Sequence, residues 1–301
     1  MKPNMRSRLL HGKQCAWSFS PSAFSVHFSL FRLVRACLGH SSIAERKLES
    51  GNPLVVLGIK ISLDTQGATF APSKDKCQKW IARMRGALAH GRLYHGEASK
   101  LAGALQWATQ RIFRRMGRAV LRSIMAHAHG RSSAITAQLE LSLNWWCEVL
   151  EKGITEQREW QRKRLRPVHL FCDARSTPPR VAAILFRDGQ ISFCDMQPDA
   201  KQLSYFTKRG DNQIMSLELL SIALGISTWS NQIEGRDLVI WSDNTGAEAA
   251  TRKGATKQFD HNCLVHALWK RFAELRVQVS CVLSVVCKGR IFPLHYIVRF
   301  G

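Results

Sequence analysis

Between residues 168 and 283, short runs of β-branched, aromatic and other apolar residues alternate with longer stretches of helical periodicity. That alternation restricts the chain to an α/β fold. It predicts strands near 168–173, 181–187 and 190–195, a helix near 213–230 and a strand near 237–242. Helices near 244–252 and 260–275 and a strand near 276–283 complete the pattern. A turn at Gly189-Gln190, with Asp188 and Gly189 supplying the turn chemistry, joins the second and third strands as a hairpin. The expected product is a mixed five-stranded sheet flanked by helices.

Three acids occupy informative places in this pattern. Asp173 closes the run from Val168 to Cys172, and Asp243 follows the run from Leu238 to Trp241, so both stand at strand ends. Glu218 lies among Ile214, Leu217, Leu220, Leu224 and Ile226, whose spacings place it on a helix beside those strands. A carboxylate trio drawn from two strands and a helix suits two divalent cations about 4 Å apart, an arrangement that clamps a phosphodiester for attack by water. Hard oxygen donors point to Mg²⁺ or Mn²⁺. Each acid also has an ordinary reading. Asp243 in SDNTG suits a turn or helix cap, Asp173 suits a turn start, and Glu218 suits the solvated face of an amphipathic helix.

The segments HLFCDARSTPPRVAAILFRDG, DNQIMSLELLSIALG, DLVIWSDNTGAEAATRKG and QFDHNCLVHALWKR resemble the RNase H-like region that follows the polymerase in reverse transcriptases of tyrosine-recombinase (DIRS-type) retroelements. The resemblance covers about Pro167 to Val279. Upstream, RACLGHSSIAERKLESGNPLVVLGIKIS is similar to the end of a reverse transcriptase palm, and SKLAGALQWATQRIFRRMGRAVLRSI to a helical thumb or connection segment. The resemblance implies an RNase H-like mixed five-stranded sheet flanked by helices, with an N-terminal mostly helical annex. It divides the chain into a basic, poorly ordered segment at 1–45, a palm-end and thumb or connection remnant at 46–160, an RNase H-like domain at 167–283 and a divergent tail at 284–301. The implied activity is metal-dependent hydrolysis of RNA in RNA/DNA hybrids. Asp173 carries over as the bridging ligand, and Glu218 and Asp243 as ligands of the leaving-group metal.

Two departures from the family pattern limit that implication. Polymerisation needs adjacent aspartates, and no Asp-Asp pair occurs in the chain, so no DNA synthesis is expected. RNase H domains usually add a fourth carboxylate from a late helix, yet no acid follows Glu274. The expectation from the ending VLSVVCKGRIFPLHYIVRFG is a truncated or misread gene end, or a decayed element copy. Without a fourth acid, affinity for the water-activating cation should fall first. His295 and Asp260 are weak substitutes, since Asp260 reads as a helix cap before HNCLVHALW.

The charge balance agrees with a nucleic-acid partner. Forty-four Lys and Arg against 22 Asp and Glu give a net charge of +22 and a strong sequence-independent attraction to phosphates. Residues 1–166 hold 28 basic and 10 acidic side chains, and residues 167–301 hold 16 and 12, so the first half is the expected electrostatic footprint. Within it, Arg111, Arg114, Arg115 and Arg118 cluster on one helical stretch, and Arg158, Arg162, Lys163, Arg164 and Arg166 precede the first strand of the second half. Phosphate contact is the favoured reading of both runs, and a solvated face or charged linker the ordinary one.

Residues 97–125 and 134–150 carry apolar periodicities, including Leu101, Leu105, Ala108 and Ile112, then Ile135, Leu139, Trp146 and Leu150, that predict packed helices. Trp145 and Trp146 belong to a core on this pattern, not to a base-stacking platform. Residues 51–63 are expected to persist only as a short strand or hairpin. The first acid is Glu45, and the Arg- and Ser-rich start before it resembles either a mitochondrial transit peptide or an arbitrary start within a palm remnant. No run of about 18 apolar residues is available to span a bilayer, so the expected location is intracellular, nuclear or cytoplasmic, with a mitochondrial alternative. Nine cysteines without a Cys-x-x-Cys pair speak for free thiols, with Cys172 and Cys194 as small strand hydrophobes, and against zinc. Two functional classes follow: a hybrid-specific endoribonuclease, and a catalytically inactive nucleic-acid binder derived from one.

Overall fold

One strand apolar on alternate positions and a second apolar along most of its length must be buried, and a helix apolar around most of its girth supplies the cover. The computed structural model describes residues 15–16, 49–56, 58–111, 113, 115–153, 155–160 and 165–283. Apart from Cys15–Ala16, the basic segment 1–45 lies outside these residues, as do Arg114, Arg162, Lys163, Arg164, His295 and the tail 284–301. The chain divides into two compact units, one from the described residues of 1–83 and 148–162, the other from those of 84–147 and 163–301.

In the first unit, β1 (Cys15–Ala16) pairs in parallel with β2 (Glu49–Ser50). Strands β3 (Leu54–Val56), β4 (Ile59–Leu63), β5 (Gly67–Pro72) and β6 (Glu156–Glu159) form an antiparallel sheet in the order β3-β4-β5-β6. The short strand or hairpin expected at 51–63 is therefore part of a larger sheet, completed by a strand from about 90 residues further on. The carboxylate of Asp64 closes the β4–β5 turn by accepting from the N–H of Gln66 at 2.8 Å and of Gly67 at 2.7 Å. Gly67 is required there, because a Cβ would stand 2.3 Å from the carbonyl oxygen of Arg158 on β6.

Helices α1 (Lys74–His90), α2 (His95–Arg111), α3 (Arg118–Ala128) and α4 (Ala137–Glu151) follow, and the boundaries between the units fall within α1 and α4. The periodic stretch 97–125 is split between α2 and α3. Arg115 and Gly117 adopt left-handed φ values of 73° and 83°, and a Cβ on Gly117 would lie 2.6 Å from the Trp146 ring. Trp146 is fully buried and Trp145 partly so, edge-on to it, which places the pair in the core as the spacing predicts.

The second unit holds the mixed sheet. Strands β7 (Val168–Ser176), β8 (Pro179–Arg187) and β9 (Gln190–Met196) run as an antiparallel meander. Asp188 and Gly189 form the two-residue loop between β8 and β9, with φ of 51° and 86°, values suited to a type I′ hairpin turn. After α5 (Ala200–Ser204), α6 (Ile214–Thr228) and α7 (Ser230–Ile233), the chain returns as β10 (Asp237–Ser242). Helices α8 (Thr245–Lys253) and α9 (Phe259–Glu274) and strand β11 (Gln278–Leu283) complete it. The order is β11-β10-β7-β8-β9, with β10 parallel to both of its neighbours. The predicted mixed five-stranded sheet flanked by helices is the fold of this unit, and the order is that of an RNase H-like sheet. The short helices α5 and α7 are missing from the sequence expectation.

Val168, Leu170 and Cys172 on β7 and Ala183 and Leu185 on β8 pack against Leu219, Ile222 and Ile226 of α6 and against Val265, Leu268 and Phe272 of α9. Gly225 sets how closely α6 sits on the sheet, since a Cβ there would lie 2.7 Å from Leu170 Cδ1 and 3.0 Å from the Ala183 Cβ. Leu170 and Ala183 are wholly buried and have no room to retreat. Gly225→Ala is therefore expected to destabilise the protein by about 1–3 kcal/mol by overpacking, despite alanine's better helix propensity. Urea denaturation measures the loss, and a stabilised variant would show that α6 is free to lift from the sheet.

Candidate metal centre at the ends of β7 and β10

The parallel pairing of β7 with β10 ends at Phe171 opposite Trp241. Two residues further along each strand direction stand Asp173 and Asp243, which extends the same register and sets the two acids side by side. Here the chain has gone from β7 to β8 on one side and returns through β10 on the other, so the acids line a crevice at a topological switch point. Glu218 enters from the second turn of α6. Carboxylate oxygens of Asp173, Glu218 and Asp243 all lie within 4.8 Å of one another, and among the described residues no other group of three or more Asp, Glu, His or Cys converges in this way.

The three acids differ in exposure. Glu218 is 2% exposed, Asp173 is half-buried and Asp243 is open to solvent. The Ala174 N–H donates to Asp173 Oδ1 at 2.8 Å, and the Ser242 hydroxyl donates to Glu218 Oε2 at 3.4 Å. The capping role that the sequence also allowed for Asp243 falls to Asn244, whose side chain accepts from the Ala247 N–H at 2.9 Å at the start of α8. The Asp243 carboxylate is thereby left for the crevice. Glu218, far from facing solvent, is buried on the sheet side of α6.

Burial, and then the charges of Asp173 and Asp243, push the Glu218 carboxyl from 4.5 up to about 9, against the smaller opposing effects of the Ala174 N–H and the Ser242 hydroxyl. Three oxygen donors so close that one must keep its proton match the chemistry of a hard divalent cation, which would replace that proton with positive charge. Cys172, just beneath, is an inert thiol: burial, and then the Glu218 charge, raise it well above its usual range.

The proposed substitutes and cations are placed differently. Asp260 is neither a cap nor a fourth member of the trio. It lies inside the first turn of α9, where Arg209 grips both carboxylate oxygens at 2.6 and 2.8 Å and the Thr207 N–H donates at 3.0 Å. Burial alone would raise the Asp260 carboxyl, but Arg209, Thr207 and the backbone of His261 hold it well below the usual carboxylate range. Arg115 and Arg118 each donate to carbonyls at the C-terminus of α8, Arg115 to Arg252 and Arg118 to Lys253 at 2.9 Å. Arg115 also lies over the Trp269 ring, 5.4 Å from its centroid. Arg115 and Arg118 satisfy orphan helix-end carbonyls and, with Arg122, which donates to the carbonyl of Thr256 in the following loop at 3.1 Å, fix the far end of the helix that begins beside Asp243. Arg166 is exposed just before β7, Arg158 pairs with Glu156 at 3.0 Å in the first unit, and Arg111 ends α2. Ser242 and Ala174 escaped the sequence reading; the position of Ser242 immediately before a strand-end acid was the available signal.

No protein-family model and no curated protein matches the chain. Among solved structures, it is similar to a foamy viral protease-reverse transcriptase dRH in complex with double-stranded DNA, at 16% identity and a TM-score of 0.34, over 89% of this chain and 44% of that one. The foamy viral protease-reverse transcriptase in complex with dsDNA gives 14% identity and a TM-score of 0.28, over 78% of this chain and 46% of that one. The same enzyme in complex with an RNA/DNA hybrid gives 11% and 0.28, over 79% and 30%. The chain thus spans less than half the length of these structures, and likenesses this faint say nothing of what it binds or does. No helix of the described residues is long and apolar enough to cross a membrane.

Two outcomes follow. The folded state keeps a proton on Glu218 that the unfolded chain gives up above its ordinary value of 4.5, so this contribution to stability is full below pH 4.5 and is lost as pH rises toward about 9. In EDTA, Glu218→Gln should melt several degrees above the parent at pH 8.5 and close to it at pH 5, and Mg²⁺ should raise the melting temperature of the parent alone. Asp260→Asn strands Arg209 and should cost about 2–4 kcal/mol at pH 7, while leaving a Mn²⁺ titration unchanged. Calorimetric titration of that variant reveals any ligand role for Asp260.

Proposed function

We propose that this chain is an RNase H-type nuclease domain that hydrolyses the RNA strand of RNA/DNA hybrids. The observation that carries this reading is the convergence of Asp173, Glu218 and Asp243 from two parallel strand ends and one buried helix. Asp173, Glu218 and Asp243 would hold Mg²⁺ or Mn²⁺, two ions in the active form, with Asp173 as the shared ligand. Such ions supply Lewis-acid polarisation of a phosphodiester oxygen and a more acidic water. The protein's own part is positional. Ser242 and the Ala174 N–H orient the carboxylates, α6 excludes water from behind Glu218, and exposed Asp243 leaves the solvent side open to a strand. The net charge of +22 draws polyanions regardless of sequence, and hybrid recognition through shape and 2′-hydroxyls fits that lack of base preference. Arg111, Arg114, Arg115, Arg118, Arg162, Lys163, Arg164 and Arg166 are the cations we assign to phosphate contact, Arg115 and Arg118 with the donors not engaged by α8.

A second reading, an inactive nucleic-acid binder, is favoured by one observation. No fourth acid joins the trio among the described residues, and Asp260 is committed to Arg209. Cleavage of a labelled RNA/DNA hybrid in Mg²⁺ or Mn²⁺ separates the two. The nuclease should lose about a thousandfold in rate, some 4 kcal/mol of barrier, in Asp173→Asn. Equal background from parent and variant would leave the binder.

A further inference from the structure

The trio presents clustered negative charge to a polyanionic strand, so a cation close by is needed to seat the strand in register. Arg175 stands two residues beyond Asp173 on β7, and strand alternation puts both on one face, about 7 Å apart along the strand. Directly across the ladder from Arg175 is Arg180. Two guanidinium groups opposed on neighbouring strands repel, and each needs an anion. Arg180 has one: its Nε donates to Asp195 Oδ2 at 2.7 Å and its Nη2 donates to the same oxygen. Arg175 makes no ion pair among the described residues, and its Nε is buried without an acceptor. A half-buried guanidinium that shares a strand face with Asp173, makes no ion pair among the described residues and stands opposite a guanidinium already paired with Asp195 leaves its outer donors for an anion from outside the chain.

We propose that Arg175 is a strand-positioning residue, whose guanidinium takes a phosphodiester next to the one facing Asp173, Glu218 and Asp243. The inference rests on the nucleic-acid reading above and adds the residue that sets the register of the bound strand. A planar fork with several donors suits a phosphate, and phosphate contacts fix register without reading sequence. The Arg180–Asp195 pair serves it indirectly, by keeping Asp195 from neutralising Arg175.

The test is fluorescence anisotropy with a labelled RNA/DNA hybrid across a salt series, in an Asp173→Asn background that keeps the strand intact. Arg175→Gln should weaken binding about tenfold and reduce the slope of log affinity against log salt by about 0.9, the signature of one lost phosphate contact. Arg175→Lys should restore the slope, because the charge is kept, yet stay several-fold weaker, because the fork is lost. Arg187→Gln removes a charge at the far end of β8, where Arg187 lies 3.6 Å from Asp188, and should change neither quantity. Parent-like affinity and slope in Arg175→Gln overturn the inference, as does an equal loss in Arg187→Gln. If thermal melting shows that Arg175→Gln does not fold, Arg175→Lys decides, and parent affinity in it is the overturning result. Failure of the Asp173→Asn background protein itself to bind hybrid overturns the nucleic-acid reading together with this one, whereas binding that ignores residue 175 overturns this one alone.

Discussion

The site depends on how closely α6 lies on the sheet. Gly225 lets the helix backbone approach Leu170 and Ala183 without a side chain between them, and that approach carries Glu218 to the ends of β7 and β10 and seals it from water. Burial there brings Glu218 against two aspartates whose positions are set by the parallel register of the strands. The packing of an apolar helix thus imposes an electrostatic conflict that the apo protein relieves by protonation and that a cation would relieve by charge. Such a conflict lowers stability locally, a pattern expected of functional sites.

Arginine serves several purposes in this chain. A net charge of +22 invites the view that basic side chains are interchangeable phosphate binders. Within the second unit they are not. Arg115 and Arg118 cap one helix end, Arg122 holds the loop after it, Arg209 anchors the first turn of α9 through Asp260, and Arg180 is paired with Asp195. The contacts of Arg115, Arg118, Arg122 and Arg209 hold α8 and α9 beside the crevice and so help to place Asp243. Arg175, by contrast, shares a strand face with Asp173 and has no carboxylate of its own among the described residues. Total charge governs the long-range attraction, while pairing governs which cation remains for a ligand.

Much of the second unit was legible in the sequence. Strands alternating with amphipathic helices, an Asp-Gly hairpin turn and acids at strand ends are local signals with periods of two and about 3.6 residues, and each element formed within a few residues of its expected place. The sequence alone also established the charge excess, the absence of an Asp-Asp pair and the lack of an acid after Glu274. Less was legible upstream, where α1 left no clear signal and β6 joins strands about 90 residues earlier in the chain. Pairings of that range depend on which edge is free in space, which no window of neighbouring residues records.

Tertiary structure alone decided which reading of each polar residue held. Asn244 rather than Asp243 became the cap, Asp260 became an ion-pair partner instead of a cap or ligand, and Arg115 and Arg118 turned toward helix-end carbonyls. The physical reason is common to all of them. A carboxylate or guanidinium can serve as cap, ligand, ion pair or solvated group, and its choice is set by the partners that folding brings within about 3 Å, not by its neighbours in sequence.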